Sequence, residues 1–247
     1  MARRRVITSP SSPRLKLVRR LQARRQREKL GLFVCEGEDL VEAALDAGLE
    51  PVHVLVDAER PALADRLHAA EAVAPDLLAA VSSLAHAPRV VGVFRRTDLP
   101  RLDRASAPPV GLALWRVGDP GNVGTLLRAA DALGPAGVGV SAGCADATGP
   151  KALRASMGAV FRVPLGHFDD LPGARVALVP GGERALHELG LDGPTTFVLG
   201  AEREGLPESI VAACDEAASI PLAAGAESLN VALAGAIALY ECRRRRA

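Results

Sequence analysis

Aromatic side chains are scarce: seven of 247 residues are Phe, Trp or Tyr, so any core must be built from Leu, Val and Ala. Cysteine is scarce too, and Cys35, Cys144, Cys214 and Cys242 form no C-x-x-C pair. The signature of a disulfide framework or a structural zinc site is therefore missing, and a reducing cytoplasm is the expected location. The five histidines include no H-E-x-x-H, and no metal is expected. Neither a Walker G-x-x-x-x-G-K-[ST] nor a G-x-G-x-x-G occurs, which argues against P-loop chemistry and dinucleotide-dependent redox chemistry. The longest late apolar stretch, Leu229 to Tyr240, carries Asn230 and is too short to span a bilayer. Arg3 to Arg5 are followed by Thr8-Ser9-Pro10-Ser11-Ser12-Pro13 instead of the apolar centre of a signal peptide, so neither export nor a membrane partner is expected.

What is present is unevenly placed charge. The net value is only +1, but residues 1–30 hold eleven Lys or Arg against the single acid Glu28. Arg243 to Arg246 add four more positive charges, leaving residues 31–242 at −13. Two basic ends on an acidic body imply a polyanion held at particular places. A solvated basic helix and tail is the plainer alternative.

Leu15, Leu17, Val18 and Leu21 are spaced for one helix face, which predicts a helix ended by Gly31 with Arg14, Arg19, Arg20, Arg24, Arg25 and Arg27 largely outward. Strands are expected at 32–34, 52–56 and 90–94, with helices at 36–47, 62–69 and 75–81, a small α/β sandwich. The polar, proline-rich stretch 97–109 makes the best linker. Beyond it the alternation restarts: strands at 110–115, 137–140, 175–179, 195–199 and 217–220, helices at 123–133 and 150–157, and a last helix from about 227 to 242. Two α/β domains divide near residue 100.

Three segments carry polar residues at strand ends. Gly118-Asp119-Pro120-Gly121-Asn122-Val123-Gly124 follows a strand and opens a helix, whose N–H groups attract anions. In that helix Leu126, Leu127, Ala130 and Leu133 form the buried face, and Asp131 is placed to hold Arg128. Gly200-Ala201-Glu202-Arg203-Glu204-Gly205-Leu206 follows a second apolar strand, whose terminal glycine would let a ligand stack on bare backbone. Glu227-Ser228-Leu229-Asn230-Val231 opens the last helix, with Ser228 as a candidate cap and Asn230 as a costly amide in an apolar helix.

In this order the segments resemble the three signature motifs of the SpoU–TrmH family of SPOUT RNA methyltransferases. The stretch Gly149-Pro150-Lys151 to Gly158-Ala159 is also similar to that family, and Ile7-Thr8-Ser9-Pro10 with Phe33-Val34-Cys35-Glu36-Gly37 resembles its accessory substrate-binding domain. The resemblance implies a small amino-terminal α/β RNA-binding domain over 1–98, a linker over 99–109 and a SPOUT α/β methyltransferase domain over 110–247 with a deep trefoil knot. General rules disfavour knots, and nothing in composition or periodicity shows one here.

The resemblance further implies S-adenosylmethionine as cofactor, held by Leu199, Gly200, Ile220, Leu222, Leu229 and Asn230. Catalytic roles fall to Arg128, Asn122, Glu202, Ser228 and Asn230. RNA contacts fall to Arg14, Lys16, Arg19, Arg20, Arg24 and Arg25, and the chain is expected to pair as a homodimer. The implied reaction is 2′-O-methylation of a ribose in structured RNA, ribosomal RNA favoured over transfer RNA. The stretch between Pro164 and Arg175 is short for the family's usual crossover helix. Three alternatives stay open: an RNA-binding member that has lost catalysis, a base-nitrogen methyltransferase, and a nucleotide-dependent oxidoreductase.

Overall fold

Pro13 opens the first helix, α1 (Pro13–Leu21), at a position where its missing N–H is no loss, and Leu15, Val18 and Leu21 turn to the core. The computed structural model describes residues 6–67 and 69–246, so Arg3 to Arg5 of the basic amino-terminal stretch lie outside the described residues. The single helix expected up to Gly31 is two. The chain breaks at Ala23, which is extended at φ −88° and ψ 130°, and restarts as α2 (Arg24–Leu30), closed by Gly31 at φ +64°. The break corrects the expected outward course of Arg27, which is only 4% exposed. Its guanidinium donates to the carbonyls of Leu21 (2.9 Å) and Gln22 (2.8 Å), the acceptors left over where α1 ends.

The small sheet follows: β1 (Leu32–Glu36), α3 (Glu38–Asp46), β2 (Pro51–Asp57), α4 (Pro61–Arg66), β3 (Glu71–Val73), α5 (Pro75–Ala79) and β4 (Val90–Arg95). The strand order is β1-β4-β2-β3, with β4 antiparallel to both neighbours. Three-residue β3 shows no alternation long enough to read from the sequence. Residues 97–109, expected as a linker, run against the second sheet: Arg101 bridges Leu165, and buried Leu102 packs with Ala113, Phe168, Leu171 and Val198.

The second sheet takes β5 (Val110–Leu114), α6 (Pro120–Leu133), β6 (Ala136–Val140), α7 (Pro150–Ser156), β7 (Leu165–His167) and β8 (Ala174–Leu178). It is completed by β9 (Arg184–Ala185), β10 (Thr195–Leu199), α8 (Glu208–Ala212), β11 (Glu216–Ser219) and α9 (Val231–Arg246). Every pairing is parallel, in the order β7-β6-β5-β10-β8-β11-β9. Central β5 and β10 are buried along their whole length, as a sheet covered on both faces requires. From β5 the chain moves to β6 on one side; from β10 it moves towards β11 on the other. The order therefore reverses between β5 and β10, where an open parallel sheet leaves a crevice at its carboxyl edge.

The last helix, α9, starts four residues later than expected and packs on α6, β5 and β10. Gly235 permits this approach, since a Cβ there would fall 2.3 Å from Leu126 Cδ2 and 2.9 Å from Leu199 Cδ1. The basic carboxyl-terminal cluster, although largely exposed, also makes hydrogen bonds within the chain. Arg243 donates to the Gly134 carbonyl, Arg245 to those of Leu189 and His187, and Arg246 to those of Leu191 and Gly193. Orphan carbonyls in this irregular segment need donors, and the final turn of α9 supplies them.

One apolar cluster runs between the two sheets, beside smaller ones on either side of it. Phe33 stacks on Phe94 and on Phe161, with ring centroids 5.9 and 6.2 Å apart. Beside it Arg27 (2.8 Å) and Arg96 (3.3 Å) converge on Asp146, whose side chain is 5% exposed. No helix among the described residues is long and apolar enough to cross a membrane.

Candidate active site

The crevice between β5 and β10 is lined by the loops that follow them. After β5, Asp119 caps α6: its Oδ1 accepts from the N–H groups of Gly121 (2.6 Å) and Asn122 (3.1 Å), with Pro120 in the first turn. This cap starts the helix three residues before the expected Val123. Lys151 of α7 donates to the other oxygen at 2.7 Å and, with those N–H groups, holds the Asp119 carboxyl below the ordinary carboxylate range.

After β10 the chain closes a tight loop in which Ala201 and Gly205 exchange backbone hydrogen bonds. Gly200 serves this closure, because a Cβ there would meet Gly205 C at 2.3 Å. The protein's own backbone thus requires the bare position that the sequence suggests is kept for a ligand. The loop presents Glu202, which accepts from the N–H groups of Gly118 (3.3 Å) and Asp119 (3.2 Å) and from Asn122 Nδ2 (2.9 Å). Burial pushes this carboxyl up, but the donors outweigh it and leave it below its ordinary range.

Asn230 completes the arrangement. It is exposed just before α9, where its Oδ1 accepts from Ala232 N (2.8 Å) and Leu233 N (3.3 Å), and its Nδ2 donates to Asn122 Oδ1 at 3.1 Å. This corrects the expected buried amide, and it displaces Ser228 as the cap. The chain of bonds has one direction. An ionised Glu202 only accepts, so Asn122 must offer it the NH₂ group and turn its carbonyl to Asn230. Asn230 then has its own carbonyl left for the helix N–H groups.

Beside this joint lies a cavity of about 470 Å³. Leu199, Gly200, Ile220, Leu222, Leu229 and Asn230 all line it, as do Glu202 and Ser228. Leu178, Val179 and Pro180 also line it, and sequence reasoning missed them. Only the strand order, which sets β8 beside β10, brings them here. Among the described residues the backbone groups of Leu222, Ser228 and Leu229 make no hydrogen bond within the chain, which leaves them open to other donors and acceptors.

The structure does not bring Arg128 to the cavity. It is exposed on α6 beyond Asn122, and the expected Asp131 partner pairs instead with Arg162, whose Nε and Nη2 donate to its two carboxylate oxygens at 3.1 and 2.6 Å. Of the expected RNA contacts, Lys16, Arg19, Arg20, Arg24 and Arg25 are exposed, and half-buried Arg14 pairs with Glu71 at 2.5 Å.

Residues 109–240 match the model of the SpoU rRNA Methylase family, and residues 12–91 match that of an MRM3-like substrate binding domain. The chain is 35% identical to an uncharacterized tRNA/rRNA methyltransferase of Synechocystis sp., over 97% of this chain and 93% of that one. A 23S rRNA (guanosine-2′-O-)-methyltransferase of Pseudomonas aeruginosa is 33% identical over 59% of this chain and 62% of its own. Among solved structures, the SpoU methyltransferase AviRb from Streptomyces viridochromogenes, in complex with AdoMet, superposes with a TM-score of 0.83. It is 28% identical, over 95% of this chain and 98% of that one.

Proposed function

The chain belongs to the SpoU rRNA methylase family, an S-adenosylmethionine-dependent RNA methyltransferase family, and from that premise we propose that it methylates a ribose 2′-hydroxyl in structured RNA, ribosomal RNA in preference to transfer RNA. The observation that carries the reading is the joint Glu202–Asn122–Asn230, which ties the three motif segments together at the rim of the cavity.

The cavity suits S-adenosylmethionine: its volume falls in the range of roughly 300–1,000 Å³ typical of small-molecule sites, and its walls are apolar with a few polar groups. When bound, the cofactor supplies a methyl group already attached to a positively charged leaving group. Leu199, Ile220, Leu222 and Leu229 would hold its flat apolar part, and the unpaired backbone at Leu222 and Leu229 would read its polar edge. Glu202, kept ionised by its donors, places negative charge where a sulfonium is favoured. Ser228, free of other partners among the described residues, orients the ribose, and Asn122 with Asn230 fixes the loops that do so. Arg128 stands apart from the cavity of its own chain, so in the proposed homodimer its part is to hold the target phosphate and steady the developing alkoxide at the partner's site. Holding the 2′-oxygen in line with the methyl carbon supplies the remaining advantage.

Residues 1–98 serve as the RNA-binding domain through Arg14, Lys16, Arg19, Arg20, Arg24 and Arg25, 99–109 as the linker, and 110–247 as a knotted catalytic domain. The enzyme works in the cytoplasm as a homodimer. Support for pairing comes from α9 and the residues before it, where Leu229, Leu233, Ile237 and Tyr240 form an exposed apolar stripe at helical spacing. The deciding experiment incubates the protein with labelled S-adenosylmethionine and separate unmodified ribosomal and transfer RNA transcripts. Label in ribosomal RNA, at a position resistant to alkaline cleavage and assigned to the ribose by mass spectrometry, is expected. Label on a base, or none, overturns the reading.

A further inference from the structure

We infer that Arg116 holds a phosphate of the RNA between the basic helix α2 and the methyl-transfer site, an assignment that rests on the RNA methyltransferase reading. Arg116 lies just past β5 and adopts φ +52°, a left-handed conformation shared among the described non-glycine residues only with Ala69 and Met157. Glycine would take this conformation at less cost, so an arginine here carries strain. The surroundings impose it. Trp115 N donates to Leu199 O at 2.7 Å, Arg116 N to Ser141 Oγ at 2.9 Å, and Ala145 N to Val117 O at 2.9 Å.

The clamped turn directs the side chain outward, with 59% of it exposed. It stands two residues before Gly118, whose N–H binds Glu202. The stem of Arg116 lies along Gly143, where a Cβ would stand 3.4 Å from the Arg116 Cγ. Gly143 belongs to the turn 141–144, and at the other end of that turn the Cys144 carbonyl accepts from Arg24 of α2 at 2.9 Å. Two arginines, one from each sheet's surroundings, thus flank one short turn. An RNA backbone reaching from α2 to the cavity would cross it.

The guanidinium is available for that role. Its nearest anion is Glu204, at 4.0 Å and 77% exposed, a contact that water and salt readily dissolve. Arg27 and Arg96, by contrast, are committed to Asp146. A phosphodiester is the ligand chemistry that suits a planar, permanently charged fork beside a nucleotide-handling site.

The test uses the full chain and an unmodified 23S ribosomal RNA transcript, with binding measured across a salt series. Arg116→Gly suits the local backbone and should fold as the wild type does. It is expected to weaken RNA binding about 5- to 10-fold at low salt and to reduce the salt slope by about one. Arg116→Lys should keep the slope, and S-adenosylmethionine binding by calorimetry should be unchanged in both. Wild-type affinity and slope in Arg116→Gly, with methylation intact, overturn this assignment alone. A wild-type protein that neither binds nor methylates RNA overturns the functional reading beneath it.

Discussion

Asn230 donates to Asn122 across 108 residues of chain, at 3.1 Å, while its other amide atom caps α9. One side chain therefore both starts the last helix and fastens it to the first motif. The two duties can be separated by substitution. Asp at 230 keeps an oxygen for the helix N–H groups, where it is as good a cap as Asn, but it cannot donate to Asn122. Asn230→Asp should melt within about 0.5 kcal/mol of the wild type. Its methyl transfer should fall at least about tenfold, equivalent to about 1.4 kcal/mol. Equal activity would show that the amide bridge has no part in the site.

The Arg27–Asp146–Arg96 cluster makes an acid-sensitive joint between the two sheets. Burial raises the Asp146 carboxyl, but Thr148, Arg96 and Arg27 together more than offset this and hold it below its ordinary value. A lowered folded-state pKa means that the unfolded chain binds the extra proton first. The stabilisation is full above the ordinary carboxylate range and is lost as pH falls through the folded value. Urea midpoints measured against pH should drop more steeply at acid pH for the wild type than for Asp146→Asn. Asp146→Ala, which strands two arginines, should cost about 3 kcal/mol or more at neutral pH.

Gly235→Ala tests the seat of α9. Alanine is the better helix former by about 1 kcal/mol. A methyl group would nevertheless strike Leu126 and Leu199, so a net loss of about 1–3 kcal/mol is expected in thermal or denaturant unfolding. A more stable variant would mean that the helix shifts freely on the sheet.

The apolar stripe predicts the effect of charge on assembly. Leu233 and Tyr240 are 54% and 56% exposed, so Leu233→Lys with Tyr240→Glu should leave the fold and its melting almost unchanged. Sedimentation should report a dimer for the wild type and a monomer for the double variant. A wild-type monomer would remove the stripe's proposed role.

Where apolar residues cluster just ahead of a glycine-bearing turn, as in Val110-Gly111-Leu112-Ala113-Leu114 of β5 and Phe197-Val198-Leu199 of β10, strands were legible in the sequence, and so were those turns. Strands β3, β7 and β9 were not, because two or three residues carry no period. Their pairing is decided by neighbours far away in the chain. The break between α1 and α2 was hidden for a related reason: Gln22 and Ala23 are ordinary helix residues, and the buried position of Arg27 depends on Asp146, 119 residues later. Motif spacing brought Asn122, Glu202 and Asn230 into view together. It could not say that Asn230 stands outside the helix, since a capping amide and an interior one look alike until the backbone is traced. Arg116 gave no signal, because its left-handed backbone and exposed charge appear only once the turn is built.

Arg245 and Arg246 grip carbonyls of residues made 53 to 58 positions earlier. During synthesis, the segment 187–193 must therefore wait with those acceptors facing solvent until α9 has left the ribosome. Its final shape is a late event in the life of the nascent chain, and a stop codon only a few positions early would leave that segment unfastened.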